Sequence, residues 1–340
     1  MKEYSKLLDY LGIEVRNTDE LHRIEFEFTS RCNLKCKFCY VANEKYNKNP
    51  LLSTDQWKSI IDKCINHGLL RATFTGGEVL SRPDFEELYT STYDKGVRIA
   101  VLTNGVLLDE KKIDIFTKRP PEVISITLYG GSNETYKKLS KSCNGWSIVK
   151  NNIENAIKKD LPISLKIVAH PEIPLKEFEL VRDFAKELDI PIALVKYLSP
   201  IRGCNTKNQD INWRYPAEKI VKLMKLMNEQ NTQENSLGCK TAEYFNCNCA
   251  RNRVAITHDG NITGCLSYTE IQESLLTQDF DDALIKLRNR INKNRINNPG
   301  CNKCQYTNRC IKCPGINFSE NGDTRICTSY RKSFAEYNIF

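Results

Sequence analysis

The chain of 340 residues contains no run of about 18 apolar residues, so nothing in it predicts a membrane span. Its opening, MKEYSKLLDYLGIEVRN, is charged throughout and lacks the apolar stretch of a secretion signal, which makes a cytoplasmic location the expectation. Neither an internal repeat of fixed period nor a long low-complexity tract is present. A strong excess of one charge is missing too. The 50 Lys+Arg against 42 Asp+Glu leave a net +8, which suits an acidic peptide or phosphate-bearing partner and singles out no nucleic acid. With 40 % hydrophobic and 27 % charged residues, a disordered chain is excluded. At about 150 residues per domain, one large domain and a smaller one are expected. Cysteine is the anomaly. Fifteen in 340 residues lies below the roughly 8–10 % of a disulfide scaffold, and the count is odd. In a reducing compartment this leaves metal, cluster or redox roles for grouped cysteines.

From residue 24 to about 230, β-type runs alternate with amphipathic stretches. The runs are Ile24–Phe28, Ala72–Thr75, Val97–Leu102, Val123–Leu128, Ile163–Ala169 and Ile190–Leu198. The helical patterns are Thr54–Asn66, Asp84–Lys95, Asp109–Lys118, Trp146–Lys159, Leu175–Leu188 and Pro216–Gln230. This order predicts an α/β fold with a parallel sheet and right-handed crossovers, its strands rich in Ile, Val and Phe as if buried on both faces. Ser53 and Asp84 offer N-cap chemistry. Six units fall short of a closed eight-fold barrel. After Ser236 periodicity fades and cysteine, Asn and Gly dominate, with one helical stretch at Asp281–Lys293. That segment is too poor in apolar material for an ordinary core, so bound clusters would help hold it. The expected division is a short extension over 1–23, a barrel over 24–232 and a cysteine-rich domain over 236–340.

Directly after the first strand stands Cys32-Asn-Leu-Lys-Cys36-Lys-Phe-Cys39, a C-x3-C-x2-C spacing. Three thiolates on one loop can hold three irons of a 4Fe–4S cube and leave the fourth open to a chelator. Structural zinc wants four ligands, and the nearest imidazole, His22, precedes the strand. The motif resembles that of the radical S-adenosylmethionine (SAM) enzymes, in which it follows the first strand of a partial (β/α)6 barrel. An aromatic precedes the last Cys, here Phe38, and SAM chelates the open iron. Thr75-Gly76-Gly77-Glu78, closing the second strand, matches the family's GGE motif, and the resemblance puts Gly76, Gly77 and Glu78 at the SAM amino group. Asn104 in Thr103-Asn104-Gly105 and Ser125 on the fourth strand match family positions near the ribose. Lys166 on the fifth strand is a candidate for the SAM carboxylate, with a snorkelling lysine as the plainer reading.

The C-terminal cysteines read Cys249-x10-Gly260-x4-Cys265, then Cys301-x2-Cys304-x5-Cys310-x2-Cys313, then Cys327. This resembles the SPASM extension of radical SAM enzymes, which carries two auxiliary 4Fe–4S clusters, although the family's usual last spacing in the middle group is x3. Carried over, Cys301, Cys304, Cys310 and Cys327 would ligate an outer cluster, and Cys249, Cys265 and Cys313 an inner one. Its fourth ligand is Cys239 or Cys247, with Cys239 favoured because Cys247 lies two residues from Cys249; an open inner site is the other arrangement. Two zinc sites compete on spacing alone. Cys64 reads as a core residue, while Cys143 and Cys204 lie in loops expected at the barrel mouth. The basic helix Lys286, Arg288, Arg290, Lys293, Arg295 reads as a solvated face or, more sharply, as a dock for an acidic leader peptide.

The resemblance implies reductive cleavage of SAM to a 5′-deoxyadenosyl radical, which abstracts hydrogen from a peptide or protein substrate. The outcome would be a crosslink, thioether or epimer in ribosomal peptide maturation. An external one-electron reductant of flavodoxin or ferredoxin type is the implied partner. Only some 22 residues precede the first strand, too few for the leader-binding domain of about 80–90 residues many such enzymes carry, so a separate leader-binding protein is a further expected partner. Alternatives are an anaerobic sulfatase-maturase-like enzyme, for which Leu266 stands where that branch has an Asp after the inner-cluster Cys, and a small-molecule or tetrapyrrole-modifying enzyme. A zinc-binding protein without catalysis is the reading from another class. No nucleic acid or membrane is expected as a partner, and the sequence names no catalytic base or hydrogen donor.

Overall fold

The computed structural model describes residues 21–41, 51–202, 213–228, 249–295 and 299–339. Six strands follow the expected runs: β1 Arg23–Glu27, β2 Arg71–Thr75, β3 Arg98–Thr103, β4 Val123–Leu128, β5 Ile163–Val168 and β6 Ile192–Val195. Between them run α1 Thr54–Asn66, α2 Phe85–Tyr93, α3 Glu110–Lys118, α4 Asn133–Ser140, α5 Gly145–Ile157 and α6 Leu175–Glu187, with α7 Ala217–Leu226 after β6. The remainder holds β7 Arg253–Ile256, β8 Asn261–Cys265, β9 Tyr268–Ser274, α8 Phe280–Arg295, α9 Pro314–Asn321 and α10 Ser329–Glu336. All lie in one sheet of order β6-β5-β4-β3-β2-β1-β7-β8-β9, parallel from β6 through β7. β8 and β9 close it as an antiparallel hairpin. The α/β class and the partial parallel barrel are as the sequence predicts.

Three details differ. The strands are not apolar on both faces. Ile24, Phe26, Ile124, Ile126, Leu165 and Ile167 are fully buried on the helix side, whereas Glu25, Glu27, Ser125, Thr127 and Lys166 alternate onto the other. The inner face is therefore polar, as a lumen that must hold a polar ligand requires. Asp84 occupies the N-cap of α2 without capping it. Arg82 takes its carboxylate in a two-pronged pair at 2.8 and 2.7 Å, and Thr54 donates to it at 2.7 Å, leaving the helix N–H groups outcompeted by charge-assisted bonds. The C-terminal segment, expected to carry little regular structure, contributes three strands, the first of which extends the sheet by pairing with β1.

The caps and core behave more simply. Ser53 caps α1 in a reciprocal box: its Oγ accepts from Gln56 N at 3.2 Å, and Gln56 Oε1 accepts from Ser53 N at 2.9 Å. Trp57 on α1 is wholly buried, edge-on to Phe28 at 4.6 Å and Phe26 at 6.3 Å. This aromatic knot fixes the helix against β1, the strand that leads into the three-cysteine loop. Among the described residues, no helix is long and apolar enough to cross a membrane.

Candidate active site

The loop carrying Cys32, Cys36 and Cys39 leaves the C-terminal end of β1, where ligand sites of open α/β sheets lie. Its backbone is pinned from outside, as Lys35 N donates to Ser140 O and Lys37 N to Leu139 O, both at 3.0 Å. Cys39 N turns back onto Cys36 O at 3.2 Å. Burial pushes the thiol of Cys32 up to about 11 and that of Cys36 to about 12; the Cys39 thiolate repels both, and Glu78 adds to the effect at Cys32. Repulsion among sister thiols means the three converge, and a bound cation is what would discharge it. Neutral donors already face them. Leu34 N lies 3.4 Å and Asn104 Nδ2 3.7 Å from Cys32 Sγ, and the Tyr129 hydroxyl hydrogen-bonds Cys36. Among the described residues no three of His, Cys, Asp and Glu close on a single ion. A cube, whose irons are spread over its corners, asks only for thiols around its rim.

Gly76 and Gly77 let two backbones touch. A Cβ on Gly76 would sit 2.5 Å from Thr29 O, and one on Gly77 would sit 2.3 Å from Arg31 O. The contacts are bonded: Gly77 N donates to Thr29 O at 2.6 Å, and Glu78 N to Arg31 O at 2.9 Å. The close approach that these glycines permit is thus to the root of the cysteine loop. Glu78 is buried, and burial raises its carboxyl although three donors oppose this. Oε1 accepts from Thr103 Oγ1 at 2.8 Å and Leu80 N at 3.0 Å, and Oε2 accepts from Asn104 N at 2.7 Å. It fastens the ends of β2 and β3 together. Asn104 carries the connection on, its Nδ2 donating to Asn33 Oδ1 at 2.8 Å. The motif residues of three successive units therefore form one bonded unit around the loop.

Ser125 lies on the inner face of β4, opposite Leu102 and Ser164. It is buried, and its hydroxyl has no hydrogen-bond partner among the described residues, an uncommon state that a polar ligand would relieve. Lys166 lies opposite Thr127; burial lowers its ammonium, with Glu25 pulling the other way. Phe38 meets Tyr129 at 5.7 Å and His170 at 5.3 Å, and His170 stacks on Trp213 at 5.7 Å. Cys64 is a core residue, Cys143 is exposed, and Cys204 lies outside the described residues, as do Cys239 and Cys247.

The C-terminal cysteines form two neighbourhoods. A Cβ on Gly264 would fall 2.3 Å from Cys249 Sγ, so the glycine lets that sulfur lie against the strand ending in Cys265. Gly315, two residues after Cys313, abuts the next turn: its Cβ would meet Ser267 O at 2.5 Å. Cys249 thus lies beside Cys265, and the segment after Cys313 packs on the turn that follows Cys265. In the second neighbourhood, burial and the repulsion of Cys310, Cys327 and Cys304 push Cys301 up to about 11. On α8, Arg288 donates to Ala250 O and Arg251 O at 3.0 and 2.6 Å, and Arg290 pairs with Glu273 at 2.6 Å. Those two side chains serve the fold.

One group escapes a reading by motif. Glu27, wholly buried at the end of β1, receives Arg202 Nη2 at 2.9 and 2.8 Å and lies 3.2 Å from His258 Nδ1. Arg202 also donates through its backbone N to Tyr40 O at 2.8 Å, next to Cys39, and through Nη1 to Leu266 O at 3.4 Å, next to Cys265. This buried pair ties the first cysteine loop to the hairpin. A charged residue amid an apolar strand, as in Ile-Glu-Phe-Glu-Phe, was the only local sign.

Comparison with known proteins agrees with this arrangement. The radical SAM superfamily model matches residues 26–185. Among curated proteins, the chain is 25 % identical over 266 residues to the probable GTP 3′,8-cyclase of Methanopyrus kandleri, covering 76 % of this chain and 83 % of that one. Among solved structures, Streptococcus suis SuiB bound to S-adenosylmethionine superposes with a TM-score of 0.72 at 16 % identity, over 98 % of this chain and 83 % of that one. Native anSMEcpe with AdoMet and the Cp18Cys peptide gives 0.71 at 17 % identity, over 93 % and 95 %. These two likenesses concern the fold. The family uses a 4Fe–4S cluster and SAM, and residues 26–185 of this chain carry a radical SAM domain.

Proposed function

We propose that the protein is a radical SAM enzyme that modifies a peptide by hydrogen abstraction. The first cluster would sit on Cys32, Cys36 and Cys39, with SAM along Gly76, Gly77, Glu78, Asn104 and Ser125 and beside Phe38. The cluster and SAM, when bound, supply an organic radical strong enough to take hydrogen from an unactivated carbon. The chain's own residues do the rest. Glu78 and Asn104 hold the loop rigid through their bonds to β2, β3 and Asn33. The Ser125 hydroxyl has its bonding capacity free for a ribose. Phe38, His170 and Trp213 form an aromatic row beside the loop that could shield a radical from water once substrate is seated.

Auxiliary clusters on Cys249, Cys265 and Cys313, with Cys239 or Cys247, and on Cys301, Cys304, Cys310 and Cys327 belong to the same reading. The observation that carries it is the continuity of one sheet from β6 to the cysteine-bearing hairpin. That whole arrangement superposes on two proteins solved with SAM, one of them holding a peptide; SuiB is also solved with its precursor peptide SuiA. A second reading, action on a nucleotide, draws on the sequence likeness to the GTP cyclase. Anaerobically reconstituted protein with SAM and a reductant should release 5′-deoxyadenosine, and Cys36→Ala should abolish the release. Incubation with peptides should then give a product lighter by two hydrogens, or deuterium uptake from heavy water. Turnover of GTP with no peptide modified would replace this reading by the second, and zinc without acid-labile sulfide would end both.

A further inference from the structure

We propose that Lys166, with the hydroxyls of Thr127 and Ser164, is a subsite for an oxyanion of the substrate. In the reading above that oxyanion is a carboxylate of the peptide; a nucleotide would offer a phosphate instead. This rests on the reading that the inner face of the sheet is where substrate meets SAM.

Ser125 pairs with Ser164, and Thr127 with Lys166, across β4 and β5. All four alternate onto the inner face, because Ile124, Ile126, Leu165 and Ile167 between them are fully buried on the helix side. The result is a square of hydroxyls with one ammonium at its upper corner. None of the four side chains makes a hydrogen bond among the described residues. Polar neighbours on paired strands ordinarily bond one another or the backbone. Ser125 is buried, and the other three are half-buried, within reach of solvent. On the edge strand β6 the neighbour of Lys166 is Ala193, which is exposed and carries only a methyl group. The square is therefore open on its β6 side.

Charge decides which ligand suits it. An ammonium offers three donors and no acceptor. The carboxylate whose charge reaches Lys166 is Glu25, on β1. Arg253 of β7 already holds Glu25, and Arg253 Nε is itself buried with no hydrogen-bond partner among the described residues. Two cations thus share one carboxylate, an arrangement that favours a second anion. The strand order separates this subsite from that for the amino acid end of SAM. Gly76, Gly77 and Glu78 follow β2, three strands from β5. The carbon of SAM that bears the amino group bears its carboxylate as well, so a resemblance that puts one at β2 puts both there. Lys166 is left for the substrate, beside the hydroxyl of Ser125 that the same reading gives to the ribose.

Calorimetry on anaerobically reconstituted, SAM-loaded full-length protein tests this with two probes. Inorganic triphosphate stands for a nucleotide, and a tripeptide with a central glutamate and both ends capped stands for an acidic peptide. At least one should bind, and the glutamine counterpart of the peptide should not. Lys166→Met should weaken the bound probe about tenfold, the worth of a charge-assisted hydrogen bond, with Lys166→Arg recovering most of the loss and SAM affinity unchanged. Ser164→Ala and Thr127→Val remove no charge and should each weaken it about two- to threefold, which decides the matter if Lys166→Met does not fold. Triphosphate binding alone assigns the oxyanion to a nucleotide, and glutamate binding alone assigns it to a peptide. No binding of either probe, binding that these variants leave unchanged, or equal binding of the glutamine peptide would overturn the inference. So would a loss of SAM affinity in Lys166→Met, which would give the lysine to the SAM carboxylate. In each case release of 5′-deoxyadenosine, and its loss in Cys36→Ala, still decides the reading of the first site separately.

Discussion

A hydroxyl that satisfies nothing in its own protein can be removed without harm to the fold. Ser125→Ala deletes a buried Oγ that has no partner among the described residues, so the melting temperature should hold or rise slightly. SAM affinity, measured by equilibrium dialysis on the reconstituted protein, should fall about five- to tenfold, the worth of one hydrogen bond. Gly77→Ala should do the reverse and damage both. A Cβ 2.3 Å from Arg31 O must push the cysteine loop away from β2, at a cost of about 1–3 kcal/mol, and SAM binding should fail. Glu27 gives a pH signature. Burial alone would raise its carboxyl, but the His258 ring and the Arg202 guanidinium outweigh burial and hold it below the usual range. A depressed value means stabilisation that is complete at neutral pH and lost as pH falls through the folded value, so melting temperature should drop on acidification below about pH 4. Glu27→Gln, which strands Arg202, should cost about 3–5 kcal/mol at pH 7 and flatten that acid limb.

At the scale of elements, α4 is the least conspicuous helix in sequence and among the most consequential. It was hidden because Asn133–Ser140 is short and polar, and it falls between the expected patterns Asp109–Lys118 and Trp146–Lys159. Its last carbonyls, at Leu139 and Ser140, hold Lys37 and Lys35 of the cysteine loop. Ser132 caps it, the Oγ accepting from Thr135 N at 3.2 Å and donating to Glu177 at 2.7 Å. Ser132→Ala should therefore cost about 1 kcal/mol. It should also speed hydrogen exchange at the Lys35 and Lys37 amides relative to those of α1, and unchanged exchange there would contradict the role given to α4.

Helices and strands with several apolar turns were legible, α1, β4 and α6 nearly to the residue. The hairpin was not. β7 and β8 are short, Gly264 interrupts the one that bears Cys265, and β9 is mostly polar. The cysteine and glycine motifs were legible because their chemistry is packed into eight and three consecutive residues. Glu27, Arg202 and His258 were not, because 175 and 231 residues of chain separate Glu27 from its partners.

For the molecule as a whole, the decisive feature is where the C-terminal segment joins the sheet. β7 lies parallel to β1, pairing Arg23 through Phe26 with Arg253 through Ile256, on the side opposite β2. The strand from which the three-cysteine loop grows is therefore interior. A chain ended before residue 249 would leave β1 as a raw border with a full row of open amides and carbonyls, inviting a second copy to add on. Such a fragment should come out of solution as aggregate rather than as a smaller working barrel. The C-terminal segment thus acts as a hem that keeps the six-strand half of the sheet from fraying.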